Sequence, residues 1–185
     1  MSTPAYPFVV AEMGANHNQD LDRALAIVDA AADAGADAIK LQTYTADTMV
    51  SRHRNYVIEG GPWAGQDLHT LYDQGAMHWS WHKRVFERAA ERGIIAFSTP
   101  FEPEAVLFLE RLGCPMYKIA SCEILDLALI RAAASTGKPL VISTGMATLE
   151  EINDAVAAAM TALHTNDITL LKCTAAYPAP AGEAN

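Results

Sequence analysis

Two polar side chains stand two residues apart in the short apolar run Ala38-Ile39-Lys40-Leu41-Gln42-Thr43. The residues before it, 33–37, are typical of a helix end and a tight turn, so the run is predicted to be a buried strand of a parallel sheet. Side chains alternate along a strand, which places Lys40 and Gln42 on the same face. Because an unpaired buried ammonium costs several kcal/mol, we expect an internal polar network or a polar ligand beside them.

Similar polar groups recur where the other predicted strands end. Three of the five lysines lie in predicted strands, although lysine normally belongs on the surface. The strand-end groups are Glu12, Lys40 with Gln42, Ser98 with Thr99, Lys118 with Ser121 and Glu123, Ser143 with Thr144, and Lys172. In a parallel β/α barrel these ends share one mouth, where active sites form. Converging cations and hydroxyls predict a site there for phosphate or carboxylate.

Several of the candidate residues have more than one interpretation. His17 could be a hydrogen-bonded loop residue or a metal ligand, and the loop residue is favoured. Glu12 and Glu123 could each neutralise a nearby lysine, and Glu12 could instead be a catalytic carboxylate with a tuned pKa. The remaining histidines show no ligand spacing and are predicted to be surface or loop residues: His53, His69, His78, His82 and His164.

The elements that must position these groups alternate along the chain. Six strands are predicted at 8–11, 38–42, 94–97, 116–120, 140–143 and 168–172, with one helix between each successive pair. Residues 44–78 interrupt the rhythm and predict a functional or lid-like segment. Such alternation requires parallel strands, as in a doubly wound sheet or an eight-stranded barrel. No Gly-x-Gly-x-x-Gly follows the first strand, which weakens the dinucleotide-binding alternative.

Composition limits the class of protein. With 185 residues, 51% of them hydrophobic, the chain can bury a sizeable single core. The net charge of -9 argues against general nucleic-acid binding and against an anionic membrane surface. The three cysteines show no metal or disulfide spacing, and no apolar run approaches the roughly 20 residues of a membrane span. No secretory signal is visible at the N-terminus either. These features predict a cytoplasmic protein. Six units fall two short of a closed barrel, so we expect a longer protein.

Six motifs in the chain resemble those of the sialic acid synthase (nonulosonic acid synthase) family, in the family's order and across nearly the whole chain. They are Ala11-Glu12-Met13-Gly14-Ala15-Asn16-His17-Asn18, Ile39-Lys40-Leu41-Gln42-Thr43, Phe97-Ser98-Thr99-Pro100-Phe101, Tyr117-Lys118-Ile119-Ala120-Ser121, Ser143-Thr144-Gly145-Met146 and Lys172-Cys173-Thr174. Within the family, residues 63–82 and 176–180 look most like the pseudaminic acid synthases. The resemblance implies a (β/α)8 TIM barrel, of which residues 1–185 carry about six units. The rest of the barrel and a C-terminal antifreeze-like (SAF) domain would lie outside this chain.

The resemblance also implies a reaction and the residues that perform it. Phosphoenolpyruvate would condense with 2,4-diacetamido-2,4,6-trideoxy-L-altrose to give pseudaminic acid and phosphate. The implied catalytic residues are Glu12, Lys118 and Glu123, and the implied substrate-binding residues are Lys40, Gln42, Thr99, Ser121, Ser143 and Tyr177. Two positions depart from the family pattern: Gln19 stands where a glycine is common, and Ala175 replaces a polar residue near the phosphate.

Further expectations come from the same resemblance. A divalent metal, Mn²⁺ or Mg²⁺, would polarise the sugar aldehyde and be held by histidines beyond residue 185. The full-length protein would be a homodimer. Two alternatives stay open: an N-acetylneuraminate or legionaminate synthase, using N-acetylmannosamine or its 2,4-diacetamido analogue, and a non-catalytic ligand-binding half-barrel.

Overall fold

The computed structural model describes residues 6–53, 56–162, 167–174 and 180–183. The strands are β1 (Val10–Glu12), β2 (Ala38–Thr43), β3 (Ile95–Pro100), β4 (Tyr117–Ile119), β5 (Leu140–Ser143) and β6 (Ile168–Leu171). The helices are α1 (Leu21–Asp33), α2 (Ala46–Met49), α3 (Leu68–Gly75), α4 (His82–Glu91), α5 (Pro103–Arg111), α6 (Leu127–Ala134) and α7 (Leu149–Ala162). Short 3-10 helices cover Trp79–Trp81, Ser121–Glu123 and Ala181–Glu183.

The strands follow chain order in the sheet, β1-β2-β3-β4-β5-β6. Three neighbouring pairs have a defined parallel register, which sets Glu12 opposite Lys40, Lys118 opposite Val141, and Ser143 opposite Leu171. Parallel strands in chain order, each followed by helix, are the β/α units of a TIM barrel. The predicted α/β fold class is therefore confirmed.

The chain divides into two compact units, Met1–Ser98 and Thr99–Asn185, called here the first and the second unit. In the first unit, the fully buried Ile39 and Leu41 of β2 pack with apolar residues of α1 and α4, among them Val28 and Val85. Helix α1 begins at the predicted N-cap, where the Asp20 carboxylate accepts hydrogen bonds from two backbone N–H groups of the first turn.

The second unit has its own buried set of side chains, which includes Leu109, Ile119, Leu129 and Ile142. Helix α7 begins with the predicted capping box. The backbone N–H of Thr148 donates to the Glu151 carboxylate at 2.7 Å, and the Glu151 N–H donates back to Thr148 Oγ1 at 3.2 Å.

The structure corrects three predicted element boundaries. Residues 44–78 contain two helices, α2 and α3, because Thr45 and Asp67 supply N-caps inside the segment. The helix predicted from residue 79 begins as a 3-10 turn before α4. Strand β3 continues to Pro100, so Ser98 and Thr99 lie inside the strand and are buried. In the described ranges, no helix combines the length and apolar character needed to cross a bilayer.

Candidate active site

In the first unit, the C-terminal end of β1 and the middle of β2 bring Glu12 and Lys40 together. The strand register sets the two residues side by side, and Lys40 Nζ forms an ion pair with Glu12 Oε2. The Lys40 side chain is 14% exposed, whereas that of Glu12 is 49% exposed. Gln42 lies half-buried on the same strand face as Lys40, between fully buried neighbours. The polar face predicted for β2 is present, and the Glu12 carboxylate neutralises its lysine.

The opposite face of β2 carries a buried chain of hydrogen bonds. Thr43 Oγ1 lies 2.7 Å from Ser98 Oγ and 2.9 Å from His82 Nε2, and all three side chains are fully buried. Burial lowers the pKa of His82 to about 4. The prediction of a surface or loop position for His82 is therefore wrong, because α4 packs this ring against the interior face of the strand.

His17 is a loop residue, but a buried one. Its Nδ1 accepts a hydrogen bond from the backbone N–H of Gln19 at 3.2 Å, and its ring meets Trp81 edge-to-face at 6.0 Å. Burial lowers the pKa of His17, so the neutral ring is favoured. Among the described residues, no group of three or more His, Cys, Asp or Glu side chains could hold a metal ion. The hydrogen-bonded alternative fits Nδ1, whereas the buried Nε2 has no hydrogen-bond partner among the described residues.

In the second unit, Lys118 and Glu123 flank the end of β4. Lys118 is half-buried between the fully buried Tyr117 and Ile119. Glu123 closes the 3-10 turn that follows the strand. Burial raises the pKa of Glu123, although its own backbone N–H and the charge of Lys118 oppose the shift. Its Oε2 is buried and makes no hydrogen bond within the described part of the chain.

A group of hydrogen-bond donors lies next to this turn, where β5 and β6 end. Ser121 Oγ accepts a hydrogen bond from the backbone N–H of Gly145 at 3.2 Å. A Cβ added to Gly145 would lie 2.9 Å from Ser121 Oγ and 3.2 Å from Cys173 Cβ, so only glycine fits without displacing a neighbour. Ser143, the last residue of β5, is buried beside them.

Cys173 reports the electrostatic character of this group. Burial raises the pKa of its thiol, but hydrogen bonds from the Ser143 hydroxyl, the Thr144 N–H, the Ser121 hydroxyl and the Gly145 N–H outweigh that effect and leave the pKa below its ordinary value. The surrounding donors therefore favour the thiolate form of Cys173. We call Ser121, Ser143, Thr144, Gly145 and Cys173 the strand-end donor group.

Sequence reasoning missed two members of that group, Gly145 and Cys173, as site residues. Both follow adjacent strands, in Ser-Thr-Gly-Met after β5 and Lys-Cys-Thr after β6, so strand order was the signal that could have found them.

The remaining predicted residues are placed as follows. Thr99 is 1% exposed, and its Oγ1 has no hydrogen-bond partner among the described residues, which leaves an unused donor inside the second unit. Lys172 is exposed just past the end of β6. Tyr177 and Ala175 lie outside the described residues.

The fold and the strand-end groups define an α/β protein of the TIM-barrel class. The sequence profile of the NeuB family matches residues 27–185, and the chain belongs to that family.

The relatives of this chain include named synthases. It is 45% identical to the pseudaminic acid synthase of Helicobacter pylori, over 97% of this chain and 53% of the relative. It is 35% identical to the N,N'-diacetyllegionaminic acid synthase of Campylobacter jejuni, over 96% of this chain and 54% of the relative. The chain thus spans about half the length of these curated relatives.

A solved structure supports the same fold. The N-acetylneuraminic acid (sialic acid) synthetase of Leptospira borgpetersenii, crystallised with citrate, superimposes with a TM-score of 0.85 at 29% identity. The match covers 100% of this chain and 62% of that one.

Proposed function

We propose that the full-length protein condenses phosphoenolpyruvate with 2,4-diacetamido-2,4,6-trideoxy-L-altrose to give pseudaminic acid and phosphate. One observation carries this choice of product. Identity to a pseudaminic acid synthase is 45%, against 35% to a legionaminic acid synthase, over nearly the same residues of this chain. Because the coverage is equal, the difference reflects sequence and not length.

The second unit supplies groups suited to the anionic substrate. Phosphoenolpyruvate carries a phosphate and a carboxylate, which charged and hydroxyl donors bind strongly. The Lys118 ammonium and the hydroxyls of Thr99, Ser121 and Ser143 are assigned to these anions. Lys40, which the Glu12 carboxylate neutralises in the first unit, stays a predicted substrate-binding residue. The lowered pKa of Cys173 supports the assignment, because hydrogen bonds from the Ser121 and Ser143 hydroxyls favour its thiolate form. Preorganised donors of this kind are typically worth about 3 kcal/mol each in a transition state.

The reaction gives separate tasks to the two acidic residues. C3 of phosphoenolpyruvate forms a bond with the aldehyde carbon of the open-chain sugar, water adds at C2, and the C2–O bond to phosphate then breaks. Glu12, already paired with Lys40, is assigned to the water or to the positive charge at C2. Glu123 is assigned to proton transfer, since burial raises its pKa and makes its carboxylate a better proton acceptor than an exposed one. Gln42 and Tyr177 are assigned to the sugar.

The proposal includes a divalent metal whose ligands are predicted to lie outside the described residues. When bound, it would polarise the sugar aldehyde as a Lewis acid. The described side chains do not form a ligand set for it, so histidines beyond residue 185 remain the predicted ligands and no step above depends on the metal. The SAF domain, the homodimer and a cytoplasmic location likewise remain predictions.

An assay with defined substrates tests the proposal. The full-length protein is incubated with phosphoenolpyruvate, Mn²⁺ and, separately, the L-altrose derivative, N-acetylmannosamine and the 2,4-diacetamido precursor of legionaminic acid. Phosphate release and product mass are measured for each sugar. We expect the L-altrose derivative to give the highest kcat/KM.

Each contrary result has a distinct meaning. Preference for N-acetylmannosamine or for the legionaminic precursor would replace the proposed product with one of the two alternatives. Phosphoenolpyruvate binding without phosphate release from any sugar would support the non-catalytic half-barrel and overturn the proposed enzyme.

A further inference from the structure

The first unit contains a cavity of about 660 Å³ at the edge where β1 and β2 end. One side is formed by Gln19 and by residues 44–46, which follow those two strands. The other side is formed by residues 73–80, from the end of α3 to the 3-10 turn. The cavity is large enough for a substituted monosaccharide, and cavities of this size are typical of small-molecule sites.

The walls of this cavity suit a neutral ligand. Among the described residues that line it there is no lysine or arginine, and Asp73 contributes a carboxylate. A doubly anionic three-carbon acid would therefore be repelled. Tyr44, Met77 and Trp79 contribute aromatic and apolar atoms to the walls for acyl methyl groups. His78 and Ser80, whose Nδ1 and Oγ lie 3.1 Å apart, contribute polar atoms for hydroxyls and amides. This combination matches an N-acylated amino sugar.

Gln19 holds one wall in place. Its amide Nε2 donates to the backbone carbonyl oxygens of Ala76 at 2.7 Å, Gln74 at 2.9 Å and Asp73 at 3.4 Å. These carbonyls lie at and just past the C-terminus of α3, where a helix leaves its last carbonyls without partners inside the helix. The Gln19 side chain therefore connects residues 73–80 to the loop after β1.

The backbone at Gln19 is in a conformation that glycine adopts more readily. Its φ is 57°, and the φ of the preceding Asn18 is 51°. A non-glycine residue in the left-handed region costs about 1 kcal/mol, and such strain clusters at functional sites. The side chain that glycine would lack is the one that makes the three hydrogen bonds.

We propose that this cavity binds the N-acylated amino sugar and that Gln19 is a positioning residue, which fixes residues 73–80 and thereby sets the selectivity for that sugar. The inference rests on the proposed function, because the sugar is the second substrate of that reaction. It adds a location for the acyl substituents of the sugar, whose other predicted contacts are Gln42 and Tyr177, and a residue that controls its selection.

Two substitutions of Gln19 separate this role from a general effect on folding. Gln19→Glu keeps the shape of the side chain but replaces the donating amide with a carboxylate, which repels the three carbonyls. Gln19→Gly also removes the hydrogen bonds but relieves the positive φ, so the fold is not strained. Gln66→Glu, an exposed change in the same insertion and outside the cavity walls, is the matched control.

The measurement is steady-state kinetics of the full-length protein with both substrates varied. Both Gln19 variants are expected to raise the KM for the L-altrose derivative about tenfold and to reduce its preference over N-acetylmannosamine, within the range that pocket contacts provide. The KM for phosphoenolpyruvate stays within about twofold of wild type, because its anions bind elsewhere. Gln66→Glu behaves like wild type.

Unchanged sugar KM and selectivity in both variants would overturn the proposal, as would an equal rise of both KM values. If the wild-type protein turns over no sugar, the proposed function fails, and binding of the L-altrose derivative is then followed by ligand-observed NMR. Binding that is lost in Gln19→Glu and kept in Gln66→Glu sustains the cavity assignment. Absence of binding to the wild-type protein overturns it.

Discussion

The polar side chains at the strand ends differ between the two units. In the first unit the strand side chains pair with one another: Glu12 pairs with Lys40, and Thr43 bonds to both Ser98 and His82, while the buried Nε2 of the loop residue His17 has no hydrogen-bond partner among the described residues. In the second unit, two buried oxygens, Thr99 Oγ1 and Glu123 Oε2, have no hydrogen-bond partner within the described chain. Hydrogen bonds around Cys173 in that unit lower the pKa of its thiol.

This difference indicates a division of labour between the units. Donors that are preorganised and unused can accept a charged ligand without first breaking internal bonds, which is the arrangement that favours anion binding. The first unit offers a cavity whose described lining residues include no lysine or arginine, which favours an uncharged partner. The predictions below test whether the two units respond separately when either is changed.

The largest effect is expected from Lys118→Ala. Removing the half-buried ammonium from the second unit should lower kcat/KM of the full-length protein by about a hundredfold to a thousandfold, corresponding to roughly 3–4 kcal/mol. Steady-state kinetics measure the loss, and circular dichroism checks the fold. Lys83→Ala, in an exposed i,i+4 pair on α4, is the control and should retain wild-type kinetics. Wild-type turnover by Lys118→Ala would contradict the assignment of Lys118 to the anions of phosphoenolpyruvate.

A comparable free-energy change is expected from acid, and it belongs to the first unit. The pKa of His82 is about 4 in the folded protein and about 6.5 in the unfolded chain, so between these values only the unfolded state gains the proton. Stability should therefore fall as the pH drops from 6.5 to 4, by about 3 kcal/mol in total.

Urea unfolding at pH 7.5 and pH 4.5 measures this dependence. His82→Gln removes the titrating ring and should shrink the difference between the two pH values, whereas the exposed His53→Gln should preserve it. An unchanged pH dependence in His82→Gln would show that burial of this ring does not cause the loss of stability in acid.

A smaller effect is expected from Gly145→Ala in the second unit. The new methyl group would lie 2.9 Å from Ser121 Oγ and would push the hydroxyl away from its donor. We expect the KM for phosphoenolpyruvate to rise about tenfold while the sugar KM stays near wild type. Gly60→Ala is the control, because a Cβ there has open space. Equal KM values for Gly145→Ala and wild type would show that Ser121 does not bind the anion.

Whether a structural feature could be predicted from the sequence depended on how far apart in the chain its residues lie. The Asp20 N-cap, the Thr148–Glu151 capping box and the alternation of Lys40 and Gln42 were predictable, since each rests on residues within four positions. The fold class was also predictable, because the family motifs imply it. Helices α2 and α3 were missed because their signals are single capping residues within a polar, glycine-rich segment.

The parts that could not be predicted are contacts between distant segments. Gln19 reaches carbonyls more than 50 positions away, and Gly145 lies against Ser121 and Cys173 from two other strand ends. The burial of His82 depends on how α4 packs against β2, which its spacing in the sequence does not reveal. Side chains such as these acquire their roles only through tertiary packing.

The smallest effect concerns the thiols. Cys173 should react with iodoacetamide, and phosphoenolpyruvate should slow that reaction severalfold because it occupies the same donors. The buried Cys114, which belongs to none of the assigned groups, is an internal control whose alkylation should not respond to the ligand. Peptide mass spectrometry over a time course gives both rates. If phosphoenolpyruvate slowed both alkylation rates equally, or slowed neither, Cys173 would not lie at the substrate site.

Calorimetric titration of phosphoenolpyruvate into the full-length protein tests the division of labour most directly. The account predicts that Ser121→Ala combined with Ser143→Ala weakens phosphoenolpyruvate binding at least tenfold, whereas Gln19→Glu leaves it within twofold of wild type. Unchanged affinity in the serine variant, or an equal loss in Gln19→Glu, would contradict it.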